Sequence, residues 1–221
     1  MSLQLEKKVD NIKVDVLKMS YLVRDAIDEA VKALTASDEV LARKVVEGDL
    51  AINNMLKEID QEIISFQALE QPVAKDLRFS ITSTRVVILL EHIGDQALAM
   101  AEHVVSMVEN HASLPPCPFL DKLAKLTSDM YLEAVQLYND PSDRDFQHFA
   151  ELDARAAEYT TNILRFYVSY MIEEDRVVER AIKMIIISRC LKSICDYAMN
   201  MVENILFVVK GLSVDHVCHP V

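Results

Sequence analysis

The sequence has no tryptophan, three glycines and six prolines in 221 residues. So few chain-reversing residues exclude a fold of many short strands and turns, and favour a few long elements. Four cysteines, Cys117, Cys190, Cys195 and Cys218, contain no Cys-x-x-Cys spacing. Cys190 and Cys195 do not meet on one helix face, so neither a disulfide nor a shared metal is expected of them. Reduced thiols acting as small core residues are the reading. Basic residues are also scarce, with 23 Lys and Arg against 35 Asp and Glu, a net charge of −12. Binding to nucleic acid or to an anionic membrane surface is therefore disfavoured. No Gly-rich phosphate loop and no basic patch with interleaved aromatics occurs. The N-terminus has no apolar signal segment. The run Met184–Ile187 is too short to span a bilayer and is closely followed by Arg189 and Lys192, so no membrane insertion is expected.

What the chain does have is apolar residues, 51% of the total, at helical spacing. The periodicity predicts an all-α protein. A first helix runs from about Leu3 to Leu34, with Val9, Ile12, Val16, Met19, Leu22, Val23, Ala26, Ile27 and Ala30 on one side. Ser37 or Asp38 caps a second helix that reaches about Leu69. Gln71-Pro72 breaks it, with Pro72 suited to the first turn of a third helix ending near Asn110. His111–Pro118, with three prolines, reads as a linker. A fourth helix covers about Phe119–Tyr138, and a turn with a capping residue at Asn139–Asp143 leads to a fifth, ending near Met171. Glu173, Glu174 and Asp175 suit the first turn of a sixth, which a glycine stops at Gly211.

The halves repeat. Aligning Asp95 with Asp196 pairs Leu90 with Leu191, Ala97 with Ala198, Met100 with Met201 and Glu102 with Glu203. Earlier in each half, Asp25 pairs with Asp129, Glu29-Ala30-Val31 with Glu133-Ala134-Val135, and Asp49 with Asp153. The expected organisation is a tandem repeat of two antiparallel three-helix bundles: residues 1–111, a Pro-rich linker 112–118, residues 119–211, and an irregular tail 212–221.

Chemistry concentrates in Leu89–Glu102. Glu91 and Asp95 lie one turn apart on a helix, flanking an apolar stripe of Leu90, Ile93, Ala97, Met100, Ala101 and Val104. Two adjacent carboxylates repel, which suits a metal or a cationic partner; the plainer reading is a solvated acidic edge. Gly94 between them lets a neighbouring helix approach. Asp25 and Glu29, echoed by Asp129 and Glu133, read as a solvated face rather than as ligands. His92 and His103 read as surface or packing residues, lacking an HExxH or ExxH partner. Arg78 and Arg85, a heptad apart, read most simply as salt-bridge formers within the bundle.

Gln71-Pro72-Val73-Ala74-Lys75-Asp76-Leu77-Arg78 followed by Leu90-Glu91-His92-Ile93-Gly94-Asp95-Gln96-Ala97 resembles the signature of the PhoU family. Arg189–Asn200 resembles a drifted copy of it. The resemblance implies a negative regulator of phosphate uptake and phosphate-starvation signalling. Such a protein is a cytoplasmic adaptor between a phosphate-specific ABC transporter and a sensor histidine kinase, and not an enzyme. Some members hold iron or another divalent or trivalent metal through acidic ExxxD and DxxxD motifs on adjacent helices. Here the matching residues are Asp49, Asn53, Glu91 and Asp95. The second repeat is degenerate: Asp153 and Asp196 remain, while Ala157 and Lys192 stand at the other two places. Metal is expected in the first half, and an Asp196–Lys192 ion pair in the second. A homodimer is the expected assembly. The alternative is a carboxylate-bridged metal-binding or redox helical-bundle protein, weakened because such bundles use Glu-x-x-His pairs that this sequence lacks.

Overall fold

The structure is a computed structural model and describes residues 3–108, 114–141 and 146–210. Among these there is no strand. Six helices, α1 (Leu3–Ala36), α2 (Glu39–Glu70), α3 (Ala74–Val108), α4 (Pro118–Asn139), α5 (Phe146–Glu173) and α6 (Val178–Lys210), follow one another, with one 3-10 turn, Asp175–Val177, before α6. The first three helices pack pairwise into one unit and the last three into a second. The expected all-α pair of three-helix bundles is the architecture found.

Each helix follows from its sequence. Along α1, Ile12, Val16, Met19, Val23, Ile27 and Ala30 fall three or four apart and are all buried, forming one apolar stripe; Leu22, placed on that stripe from the sequence, is partly exposed instead. Asp38 caps α2, its Oδ1 accepting the Leu41 N–H at 3.0 Å. Pro118 is the first residue of α4, where its missing N–H costs nothing.

Two boundaries differ from expectation. Pro72 does not sit in the first turn of α3. Gln71 ends α2 in the left-handed region at φ 46°, Pro72 is buried in the connection, and α3 begins only at Ala74. Gln71 and Ala74, at φ 46° and 48°, both turn the chain, and the proline between them serves as a packed spacer. Glu173–Asp175 likewise do not open α6. Glu173 closes α5, Glu174 is extended, and buried Val177 anchors the 3-10 turn that leads into Val178. The Ser142–Asp143 cap, the end of α3 near Asn110, the first part of the linker, Gly211, Cys218 and the tail 212–221 lie outside the described residues.

The units are joined along α3 and α6, which run antiparallel. The Thr82 hydroxyl near the start of α3 donates to the Asn204 carbonyl near the end of α6 at 3.2 Å. At the other end, Lys183 Nζ donates to the Ser106 carbonyl at 3.2 Å. Ser83 and Tyr138 hydroxyls meet at 2.8 Å inside this seam. Beside it, Tyr131 on α4 donates to the Ser20 carbonyl of α1 at 2.7 Å. A helix apolar on both sides needs two partners. Hence α3 carries Leu90, Ile93, Ala97, Met100 and Ala101, all fully buried, and one hydrophobic core runs through both units. Cys117, Cys190 and Cys195 are buried free thiols; burial pushes Cys195 up to about 12.

Arg85 donates to the Asn204 side-chain oxygen at 3.1 Å, across the seam. Arg78 keeps a buried Nε without a partner among the described residues. Among the described residues neither forms the salt bridge expected of it: Arg85 meets an amide on α6 in place of a carboxylate.

Candidate metal centre

Helices α2 and α3 meet closely at one point. A Cβ on Gly94 would stand 3.2 Å from Cδ1 and 3.3 Å from Cγ2 of Ile52. The bare backbone therefore lets α2 lie against α3, and it brings the acidic residues beside Ile52 toward those beside Gly94. On α2, Asn53 Nδ2 donates to Asp49 Oδ2 at 2.7 Å, one turn away. On α3, ligand atoms of Glu91, His92 and Asp95 all lie within 4.8 Å of one another. The helices also face each other electrostatically. Burial, then the charge of Asp95, holds the Asp49 carboxyl above its ordinary value; the Asn53 N–H opposes the rise, and Glu102 adds to it.

So the structure gathers Glu91 and Asp95 on α3 and bonds Asp49 to Asn53 on α2; the Asp49 carboxyl feels the charge of Asp95 but lies outside the group formed on α3. Two residues were missed. His92 was read as surface or packing. Its ring does pack on Tyr197 of α6, at 5.5 Å between centroids. Its Nδ1 also lies 2.8 Å from Glu91 Oε2, which makes it a member of the cluster. The signal was its place three residues before Asp95, one turn away, which a search for HExxH or ExxH passes over. Glu102 was used only to align the repeat, and it proves to be a further acidic neighbour of Asp49.

The donor set suits a hard or borderline cation: carboxylate and amide oxygens from two helices, with one imidazole in reach. The orientation of the Asn53 amide fits as well. Its N–H supports Asp49 while its oxygen stays available as an acceptor. Among the described residues the group close enough to share a cation is Glu91, His92 and Asp95; Asp49 and Asn53, the other two expected ligands, lie outside it on α2. A cation here would relieve the carboxylate repulsion on α3.

The equivalent place in the second unit is built differently. Lys192 on α6 points its ammonium between two carboxylates, bonding Asp153 of α5 at 2.8 Å and Asp196 one turn along its own helix. Burial works against the charge on Lys192, but the hydrogen bonds to Asp153 and Asp196 outweigh it and hold its pKa above the ordinary 10.5. One cation serves two acids, so Asp196 stays above its own ordinary value, through burial and through Asp153, despite Lys192. Ala157, exposed on α5, supplies no ligand.

Of the other acidic repeat positions, three have partners, and Asp129 is exposed. Glu29 pairs with Lys44 across α1 and α2, and at the equivalent place Glu133 meets His148 Nε2 at 3.0 Å across α4 and α5. Asp25 is exposed and takes the neighbouring Arg24 at 2.8 Å.

These features define a class: a duplicated three-helix bundle, closed along one antiparallel helix pair, with acidic pairs at matching places in each copy. A family model described as PhoU domain matches residues 16–104 and 120–205, which are those two copies. The chain belongs to the PhoU family. It is similar to the phosphate-specific transport system accessory protein PhoU homolog of Pseudomonas aeruginosa, 31% identical over 98% of this chain and 89% of that protein. It is also similar to PhoU of Escherichia coli, 25% identical over 97% of this chain and 88% of that protein. The crystal structure of PhoU from Pseudomonas aeruginosa superposes with a TM-score of 0.77 at 31% identity, covering 94% of this chain and 99% of that one. The phosphate transport system regulatory protein PhoU from Streptococcus pneumoniae shares the fold at a TM-score of 0.84, with 21% identity, 96% of this chain and 99% of that one.

Proposed function

We propose that this protein is an accessory regulator of phosphate transport, acting in the cytoplasm as a homodimeric adaptor between a phosphate-specific ABC transporter and a sensor histidine kinase. Its units are residues 1–111 and 119–211, and it works as a regulator rather than an enzyme. The observation that carries the reading is the match of both halves to one family whose relatives are named as phosphate-transport accessory proteins. Among the described residues no helix is long and apolar enough to cross a membrane, which fits attachment to a transporter through protein contacts. Deleting the gene is expected to derepress a phosphate-starvation reporter, and restoring it to repress the reporter again. Unchanged phosphate uptake and unchanged reporter expression in the deletion strain would refute the assignment.

Within that role the first unit holds a cation, iron or another divalent or trivalent metal, through Asp49, Asn53, Glu91 and Asp95, while Lys192 takes its place in the second. Elemental analysis and melting scans with added iron, manganese, zinc and magnesium test this. Metal should raise Tm by mass action, with the shift lost in Glu91→Ala or Asp95→Ala and kept in Asp196→Ala. The pH dependence has a definite sign. Asp49 has a raised folded-state pKa, so its protonated form favours the fold. That contribution is full below the ordinary value of 3.8 and is lost as pH rises above it. The metal-free protein should therefore lose this stability upward through the carboxylate range, and the metal-induced shift should grow over the same range. A shift that does not change with pH would show that Asp49 is no ligand.

His92 beside Glu91 and Asp95 favours the second reading, a metal-binding or redox helical bundle. Oxygen or peroxide consumption by the iron-loaded protein, lost in His92→Ala, would establish it.

A further inference from the structure

The outer face of α5 is apolar where its counterpart on α2 is polar. The repeat that pairs Asp49 with Asp153 sets the two helices in register, and their inner faces agree. Ile52 and Ala156, Ile59 and Ile163, and Ile63 and Tyr167 are matching pairs, and all six residues are buried. The faces turned away from the core differ. On α5, Ala154, Ala157, Thr161, Leu164, Val168 and Met171 follow one another at alternating steps of three and four, the spacing of a coiled-coil seam. Met171 is half-buried and the other five are exposed, Leu164 by 44% and Val168 by 40%. Ile172, beside the end of this row, is 81% exposed. The matching places on α2 hold Leu50, Asn53, Lys57, Asp60, Ile64 and Gln67, of which only Leu50 and Ile64 are apolar. A continuous apolar row on the outside of a helix suits burial against another helix.

The row itself says which helix fits, because it complements itself when run backwards. A two-fold axis at the level of Asn162 and Ile163 sets Ala154 opposite the partner's Met171, Ala157 opposite the partner's Val168, and Thr161 opposite the partner's Leu164. Every layer then places a smaller side chain against a larger one, which fills the seam evenly. The same axis sets Glu158 opposite the partner's Arg165, and Arg165 opposite the partner's Glu158, along one edge of the seam. Both residues are exposed, and neither has an ion-pair partner among the described residues; Glu158 acts on Arg155 only through its field. A parallel pair instead stacks alanine on alanine in two layers and sets Glu158 beside the partner's Asp153, a like charge.

We propose that this row is a self-association surface: two copies of the chain pair along α5, antiparallel, about that two-fold axis. The contact is isologous, so one set of residues supplies both sides of it. The proposal rests on the homodimeric reading given above and gives that homodimer its face and its orientation.

Sedimentation-equilibrium ultracentrifugation of the full chain is the test. The native chain is expected to run as a dimer. Leu164→Glu changes an exposed position, so the helical circular dichroism should be unchanged while the dimer dissociation constant rises at least about tenfold. Ile64→Glu, at the matching exposed position on α2, should leave the dimer as it is. Glu158→Arg alone sets arginine against arginine and Arg165→Glu alone sets glutamate against glutamate, so each should weaken the dimer about tenfold. Mixing these two variants in equal amounts should restore native-strength dimers, because every charge then meets its opposite. A native chain that stays monomeric refutes the homodimer and this proposal together. A dimer that survives Leu164→Glu overturns the face alone and leaves the homodimer standing. Failure of the mixed charge variants to recover native-strength pairing overturns the antiparallel arrangement, and the proposal with it.

Discussion

Replacing Gly94 with leucine is expected to destabilise the fold by about 3 kcal/mol and to lower Tm by roughly 6–12 °C. Even a methyl group at Gly94 falls 3.2–3.3 Å from two carbons of Ile52, and leucine adds three carbons beyond it. Ile52 has nowhere to go: it is buried, and a β-branched side chain on a helix is nearly fixed at χ1. The gain in helix propensity, about 1 kcal/mol, opposes this but is smaller than the overpacking. For Gly94→Ala the two effects nearly cancel, so leucine is the informative change. Gly48 on the same pair of helices is the control. Nothing lies within 4 Å of its would-be Cβ, so Gly48→Ala should gain the propensity term alone and raise Tm. Pushing α2 off α3 also separates Asp49 from Asp95, so Gly94→Leu should abolish any metal-induced thermal shift. Thermal unfolding of both variants, with and without metal, checks this. A Gly94→Leu protein that melts with the native chain would show that the close approach at Ile52 does not hold α2 in place.

Lys192→Glu is expected to cost about 2 kcal/mol at neutral pH. Removing one partner of a fully buried ion pair costs about 3–5 kcal/mol. The figure is reduced because the Asp196 side chain is half exposed and solvent screens it. In the native chain the raised Lys192 pKa means that its contribution is full below the ordinary lysine value and is lost only as pH rises past 10.5. In the variant three carboxylates crowd one place, so stability should fall as pH rises through the carboxylate range instead. Added divalent cation should restore part of it, since the substitution recreates in the second unit the Glu-x-x-x-Asp spacing of Glu91 and Asp95. Melting curves of native and variant protein between acid and alkaline pH read both effects. A variant whose Tm equals the native value at neutral pH would show that Lys192 is a surface residue and no internal counter-ion.

The fold was legible because its signals are local. Apolar spacing in α1 and α3 named most of the residues that are fully buried, with Leu22 the exposed exception and Val9 and Ala26 half-buried, and Asp38 was one of two caps proposed. Boundaries were less legible where the chain reverses without glycine. Nothing in the residue type of Gln71 announces a left-handed conformation, so Pro72 was placed in the helix. At the site, the four-residue spacings were readable, but contacts between helices were not. His92 joins Glu91 and Asp95 through its position on α3 and packs against Tyr197 of α6, a residue far along the chain. Arg85 finds Asn204 for the same reason, and periodicity along one helix could not reveal it. The Glu29–Lys44 and Glu133–His148 pairs do follow the repeat, because their partners sit on neighbouring helices in both units.

The antiparallel seam of α3 and α6 also sets an order of events in folding. Within each unit the helices connect to their neighbours through short reversals, so their contacts close small loops. The bond from Thr82 to Asn204 spans 122 residues. Closure entropy rises with loop length, though slowly, by about 0.6 kcal/mol for each doubling. Distant contacts also form later than local ones when topology governs the rate. The hairpin-like units therefore assemble first, each with one side of α3 or α6 still bare, and the seam closes last. Until it does, the apolar sides of two long helices remain open to any other apolar surface, so the stage most exposed to misassembly is the meeting of two already formed halves.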